Sequence, residues 1–123
     1  MTASVPARAL ALACLAALPL SACVSGPANP SASRASELAS VVSRSVACRA
    51  GAPSRSTLES FIAAEKARGA TPEQLASARS TYVTVSEGET VNQMVRPKPC
   101  GSEERAEVRE KMMRIRAGDF SAL

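Results

Sequence analysis

Apolar side chains recur at helical spacing in the first long segment of the chain that lacks proline. They lie on one face of a predicted helix, at Leu38, Val41, Val42 and Val46. Ser36 has the side chain of an N-cap for this helix, and Gly51 with Pro53 ends it. Cys48 is therefore expected in the last turn of the first helix.

Two further helices are predicted from their start signals. Ser56 and Glu59 have the spacing of a capping box, and Gly69 is the natural residue just past the end of the second helix. The segment Thr71-Pro72-Glu73-Gln74 supplies an N-cap, a proline at the first helical position and a glutamine at the third. The apolar faces of the two helices contain Leu58, Phe61, Ile62, Leu75, Ala78, Tyr82 and Val85.

Residues 81–95 fit two structures. Their β-branched side chains on both sides of Glu87-Gly88 are compatible with a β-hairpin. Val91, Met94 and Val95 resume helical spacing, so we predict that the third helix continues through this segment, with Gly88 as a point where it could be interrupted.

A fourth helix is predicted to begin at Ser102 and to end with Arg116, before Gly118, with acids in its first turn and bases in its last, as the helix dipole favours. Its apolar stripe consists of Val108, Met112 and Ile115. The four segments predict an all-α fold, a small four-helix bundle that spans residues 36–123.

The amino terminus has the pattern of a secretory signal over residues 1–22. Its apolar run, Leu10–Leu20, is too short to span a bilayer, which needs about 20 residues. The run ends in Leu20-Ser21-Ala22-Cys23, which resembles the lipobox of bacterial lipoproteins. The resemblance implies cleavage before Cys23 and acylation of its thiol. A secreted protein with a coincidental cysteine is the alternative.

Acylation of Cys23 would make membrane lipid the first partner of the protein. Two or more acyl chains hold a protein stably on a membrane, whereas one binds marginally. In lipoproteins an aspartate after the cysteine favours the inner membrane, so Val24 points to the periplasmic face of the outer membrane. Residues 23–35 are rich in serine, alanine and proline and are predicted to be a lipidated tether.

The remaining cysteines predict a disulfide. Cys14 lies in the signal peptide and Cys23 is lipidated, which leaves Cys48 and Cys100 in an exported domain. Their bond would close a loop of about 50 residues and stabilise the fold by about 4 kcal/mol in the chain-entropy view. Two free thiols are the alternative. A metal site is not expected, because the chain contains no histidine.

Charge and composition favour a function without catalysis. The chain has 15 lysine and arginine residues against 11 aspartate and glutamate residues, and the two kinds are interleaved. A Ser-His-Asp or Cys-His arrangement is impossible without histidine. We expect no enzyme activity, no cofactor, no nucleic-acid partner and no small-molecule substrate.

The layout resembles the all-helical pilotin lipoproteins of type II secretion systems. The resemblance is carried by Cys23 with its lipobox, the segment leading to Cys48, the segment from Leu58 to Gly69, and Cys100 before the last helix. It implies a role in carrying a secretin segment to the outer membrane, docked as a helix in a groove.

Alanine-rich helices would leave such a groove between them. We predict that it binds a protein partner of the cell envelope and is lined by Leu58, Phe61, Ile62, Leu75 and Tyr82. The same side chains are equally suitable as plain core. A structural envelope lipoprotein and an inhibitor or exclusion factor that presents the loop Arg96-Pro97-Lys98-Pro99 are the alternative functions.

Overall fold

The structure of the protein, a computed structural model, describes residues 29–123. The predicted signal peptide, Cys23 and the tether up to residue 28 lie outside this range. The described part contains four helices and no strand, which confirms an all-α four-helix bundle: α1 Pro30–Ala47, α2 Thr57–Ala67, α3 Pro72–Val95 and α4 Ser102–Arg116. None of these helices is both long and apolar enough to cross a bilayer.

Helix α1 begins earlier than predicted. Asn29 is its N-cap and accepts a hydrogen bond from the Ala32 amide at 3.0 Å, and Pro30 occupies the first helical position. The predicted N-cap at Ser36 is therefore wrong, and residues 30–35 of the predicted tether are helical. The physical reason is packing: Ser31 and Ala35 are buried against the bundle, which the tether-like composition did not reveal.

Helix α3 runs through residues 81–95 without a break, so the predicted continuation is confirmed and the hairpin is wrong. Its first turn has the predicted capping box, in which the Gln74 amide donates to Thr71 and the Thr71 amide donates to Gln74. The buried face of α3 at Ala78 continues into this segment at Tyr82, which packs against the core and so supports the helix over the hairpin.

The capping box predicted at the start of α2 is wrong. Ser56 is the N-cap residue but makes no side-chain capping bond. Glu59 instead accepts hydrogen bonds from Arg79 on α3, one of them at 2.7 Å. A charged partner on the neighbouring helix has displaced the local interaction, and this ion pair joins α2 to α3.

The side-chain contacts define the directions of the helices. Ser31 near the start of α1 binds Glu65 near the end of α2, and Arg44 near the end of α1 binds Glu104 at the start of α4. Helices α2 and α4 are therefore antiparallel to α1. The first turns of α1 and α3 line one shallow depression, so these two helices run in the same direction.

The core lies between α1 and the other three helices and is closed by the chain after α4. Phe120 is 5 % exposed and meets Phe61 edge to face, with ring centroids 5.5 Å apart. The other buried apolar side chains include Leu38, Val42, Ile62, Ala78, Val108, Met112 and Ile115. The predicted apolar stripe of α4 is thereby confirmed.

A disulfide ties the end of α1 to the start of α4, as predicted. Cys48 is the C-cap of α1 and Cys100 lies just before α4, with their Cα atoms 5.3 Å apart. At the opposite end of α1, Arg34 binds Glu65 at 2.9 Å and donates to the carbonyl oxygens of Phe120 and Leu123. The bundle is thus fastened at both ends.

Candidate functional site

An open groove of about 450 Å³ lies between the second half of α1 and the second half of α3. Its apolar lining comes from Val42, Val46 and Ala47 on α1 and from Tyr82 and Met94 on α3. Ser43, Ser86, Thr90 and Gln93 add hydroxyl and amide groups at intervals. The groove therefore offers a continuous apolar surface with hydrogen-bonding groups along it.

The groove exists because the two parallel helices differ in length. Helix α3 has 24 residues against 18 in α1, and the two begin side by side, so the last turn of α3 extends past the end of α1. Met94 and Val95 in this turn are 72 % and 71 % exposed, and Val46 on α1 is 57 % exposed. Clusters of exposed apolar side chains on small domains are typical of surfaces that contact another molecule, which makes this groove the candidate site.

Ionisable groups are scarce in the groove. Glu89 is the only acidic residue among the lining side chains, which include no lysine or arginine. Burial raises the pKa of the Tyr82 phenol, so this group stays protonated through the physiological range. The other polar groups of the lining are the hydroxyls of Ser43, Ser86 and Thr90 and the amide of Gln93.

The sequence placed one of its five candidate residues in the groove. Tyr82 lines it, while Leu58 and Leu75 are partly buried and pack against the core away from it. Phe61 and Ile62 are 0 % and 7 % exposed and belong to the core, the alternative that the sequence left open.

Val46 and Met94 line the groove but are not among the candidate residues that the sequence suggests. Helical spacing places Val46 on the apolar face of α1 and groups Met94 with Val91 and Val95, but spacing alone does not say where a neighbouring helix ends. The one signal that could have found them is the greater length of the third predicted helix, whose last turns need not be covered.

The loop after α3 is held in place by contacts with the end of α1. Arg44 donates to the Lys98 and Pro99 carbonyl oxygens at 3.0 and 2.9 Å and also binds Glu104. The hydrogen bond from Arg44 is the main reason that the pKa of Glu104 is lowered. Together with the disulfide at Cys100, these contacts fix the loop relative to α1.

Possible metal ligands come together at one place in the described part of the chain. Cys48, Cys100 and Glu104 have their ligand atoms within 4.8 Å of one another. The two sulfur atoms are joined in the disulfide, so they cannot act as thiolate ligands, and the cluster is explained by the bond and by the Arg44–Glu104 pair.

Comparisons with known proteins found no family model, no curated protein and no solved structure that matches this chain. The resemblances to lipoproteins and to pilotins accordingly rest on the residues of this sequence alone. The function is argued below from those residues and from the groove.

Proposed function

We propose that this protein is a lipoprotein anchored to the periplasmic face of the outer membrane through acylated Cys23. It binds a protein partner of the cell envelope, as a pilotin does, and catalyses no reaction. The partner lies in the α1–α3 groove. The membrane anchor confines the search for that partner to the membrane surface, which raises the local concentration of the two proteins.

The open groove beside the overhanging end of α3 is the observation that carries the proposal. Val46 and Met94 line it and are more than half exposed. Burying apolar surface of this kind against a partner is favourable by about 25 cal/mol per Å². A groove between two helices is also the shape that receives the apolar face of a third helix.

Site-specific photo-crosslinking in cells tests the groove. A photoreactive amino acid is placed at Val46, at Met94 or, as a control, at Arg109, which is exposed on α4. We expect the first two positions to form a crosslink to the same envelope protein and the control position to form none. Identical products from all three positions, or no product from the groove positions, would contradict the proposal.

The lipid anchor has its own test. Growth with a clickable palmitate analogue is expected to label the wild-type protein and the Cys14→Ser variant but not Cys23→Ser, because only the lipobox cysteine accepts the lipid. Cys14 is the matched control, since it lies in the segment removed by the signal peptidase. Label on the Cys23→Ser protein would refute the anchor.

An inhibitor or exclusion factor is a second candidate, favoured by the loop Arg96-Pro97-Lys98-Pro99. This loop is exposed along its length, and Arg44 and the disulfide hold it in place. A rigid exposed loop is suited to insertion into a partner's cleft. A crosslink from Pro97 in the absence of one from Val46 or Met94 would favour this function. A structural lipoprotein with no single partner would give no defined crosslink from any position.

A further inference from the structure

Three cations follow the ends of the two helices that line the groove, and we call Arg49, Arg96 and Lys98 the basic collar. Arg49 follows α1 and shares a shallow depression with Val46, while Arg96 and Lys98 follow the overhanging turn of α3 that contains Met94. All three side chains are exposed. Within residues 29–123 none of them lies in an ion pair with a carboxylate.

Acidic groups at this end of the bundle are Glu89, Glu103 and Glu104. Glu104 is bound by Arg44, and the charge of Lys98 also helps to lower the pKa of Glu104. The charge of Glu89 contributes to the raised pKa of Arg44, and Glu103 lies in the first turn of α4. Arg44 and the three cations of the collar outnumber these three acids, so this end of the groove carries a net positive charge.

The backbone at Arg49 makes this arginine unusual. Helices α1, α2 and α4 end with the same pair of bonds, in which the two amides after the C-cap turn back to the last turn of the helix. This ending requires a positive φ just after the C-cap, and Gly69 and Gly118 supply it in α2 and α4. At the end of α1 the residue is Arg49, with φ of 51°. Glycine would adopt this conformation with less strain, so the local backbone does not explain the arginine.

We propose that the groove binds an amphipathic helix whose first turn is acidic and which lies antiparallel to α1 and α3. This inference rests on the proposed partner-binding function of the groove. The apolar face of the bound helix covers Val46 and Met94, and its amino-terminal carboxylates face the basic collar.

Helix dipoles favour this direction. Helices α1 and α3 both end at the collar, where the helix dipole places partial negative charge. The amino terminus of an antiparallel helix brings partial positive charge to that end. Acidic side chains are also favourable in the first turn of any helix. The acidic turn that binds the collar therefore stabilises the bound helix as well.

Geometry favours a protein segment over the anchoring membrane as the occupant. The collar lies at the end of α1 opposite to Asn29, where the chain leads to Cys23. The 18 residues of α1 separate the two ends by about 27 Å. The stretch of α3 from Tyr82 to Met94 lines a groove about 18 Å long, which matches about three turns of a bound helix.

Binding of two synthetic peptides tests the proposal. Both peptides have 14 residues with leucines at helical spacing, and they differ only in the first turn. The acidic peptide has three glutamates there, and the other peptide has three lysines. The full-length protein is held in phosphatidylcholine nanodiscs, and empty nanodiscs serve as the blank. We expect the acidic peptide to bind about tenfold more tightly, as two or three exposed ion pairs allow, and the ratio to fall towards one in 0.5 M salt.

Charge-reversal variants test whether the basic collar causes the preference for the acidic peptide. Arg96→Glu with Lys98→Glu should reverse the preference. The matched control, Lys66→Glu with Arg116→Glu, removes two exposed cations from the opposite end of the bundle and should preserve it. Arg49→Gly should weaken binding of the acidic peptide about threefold. It should not lower the melting temperature of the protein, because glycine suits this backbone conformation. If Arg49 had only a structural role, Arg49→Gly would instead lower the melting temperature.

The possible outcomes separate this inference from the proposed function. Equal binding of both peptides, or a preference for the lysine peptide, overturns the acidic helix but is compatible with a partner-binding groove. A dimer that requires Val46 and Met94, seen by mass photometry, also overturns it, because a second copy then covers the groove. Failure of the photo-crosslinking at both groove positions removes the proposed function and this inference together.

Discussion

At the scale of single residues, Arg34 joins α1 to α2 and to the carboxy-terminal segment through one side chain. It binds Glu65, which is 3 % exposed, and it holds two carbonyl oxygens of the carboxy-terminal segment. Replacement by methionine leaves a buried carboxylate with only the Ser31 hydroxyl as a partner. We expect Arg34→Met to lower the free energy of unfolding by about 3–5 kcal/mol in urea titrations.

The control is Arg79→Met, which breaks the exposed pair between Arg79 and Glu59 and should change stability much less. Adding Glu65→Leu to Arg34→Met should recover part of the loss, because the unpaired buried charge is then gone. If Arg34→Met and Arg79→Met lowered the free energy of unfolding equally, burial of the Arg34–Glu65 pair would not increase its contribution to stability.

Glu104 should make the stability depend on pH. Its pKa in the folded protein is lowered from an ordinary value near 4.5, chiefly by the hydrogen bond from Arg44. A carboxyl group with a lowered folded pKa stabilises the protein above its unfolded pKa, and this contribution is lost as the pH falls through the folded value. The stability difference between wild type and Glu104→Gln should be constant from pH 7 to about 5 and shrink below about 4.5.

Urea titrations at a series of pH values measure that difference. Glu103→Gln is the matched control, because it removes a charge from the same turn of α4 without breaking the bond to Arg44. If the stability difference between wild type and Glu104→Gln stayed constant down to pH 3, the Arg44–Glu104 bond would not form in solution.

At the scale of elements, the continuity of α3 is the feature that creates the groove, and Gly88 tests it. Gly88 lies in the middle of the helix, and an added Cβ would meet no atom within 4 Å. We expect Gly88→Ala to raise the free energy of unfolding by about 0.5–1 kcal/mol, because alanine is the better helix former. For a domain of this size the melting temperature should rise by a few degrees in circular dichroism.

Gly118→Ala is the control for that experiment. Gly118 has φ of 79°, a conformation in which an added Cβ is strained, so this variant should melt lower than the wild type. Destabilisation by Gly88→Ala would favour a turn at residue 88, and then the groove would lose its α3 wall.

At the scale of the whole molecule, the disulfide joins elements that are far apart in sequence. The variant with both Cys48→Ser and Cys100→Ser should lose about 2–5 kcal/mol of stability. Reduction of the wild-type protein should cause a similar loss, and reductant should have no effect on the variant. Intact-mass measurement with an alkylating agent, before and after reduction, checks the bond directly. Free thiols in the unreduced protein would contradict the structure.

The sequence determined most of the local structure. Capping residues at Thr71 and Gln74, the glycines after α2 and α4, and the apolar stripe of α4 predicted where these helices begin, end and face. Such signals lie within a few residues of one another and act through the backbone, so they can be found without the fold. The cysteine pair was predictable for a different reason, since elimination left only Cys48 and Cys100.

Only the tertiary structure decided the early start of α1, the loss of the capping box at Ser56, and the position of the groove. Each depends on a neighbour distant in sequence: the buried surroundings of Ser31, the Arg79 that binds Glu59, and the length of α3 beside α1. Helical periodicity says which side chains share a face, but it does not say how far the opposite helix reaches. Val46 and Met94 are exposed because of that reach, so periodicity alone could not mark them as surface residues.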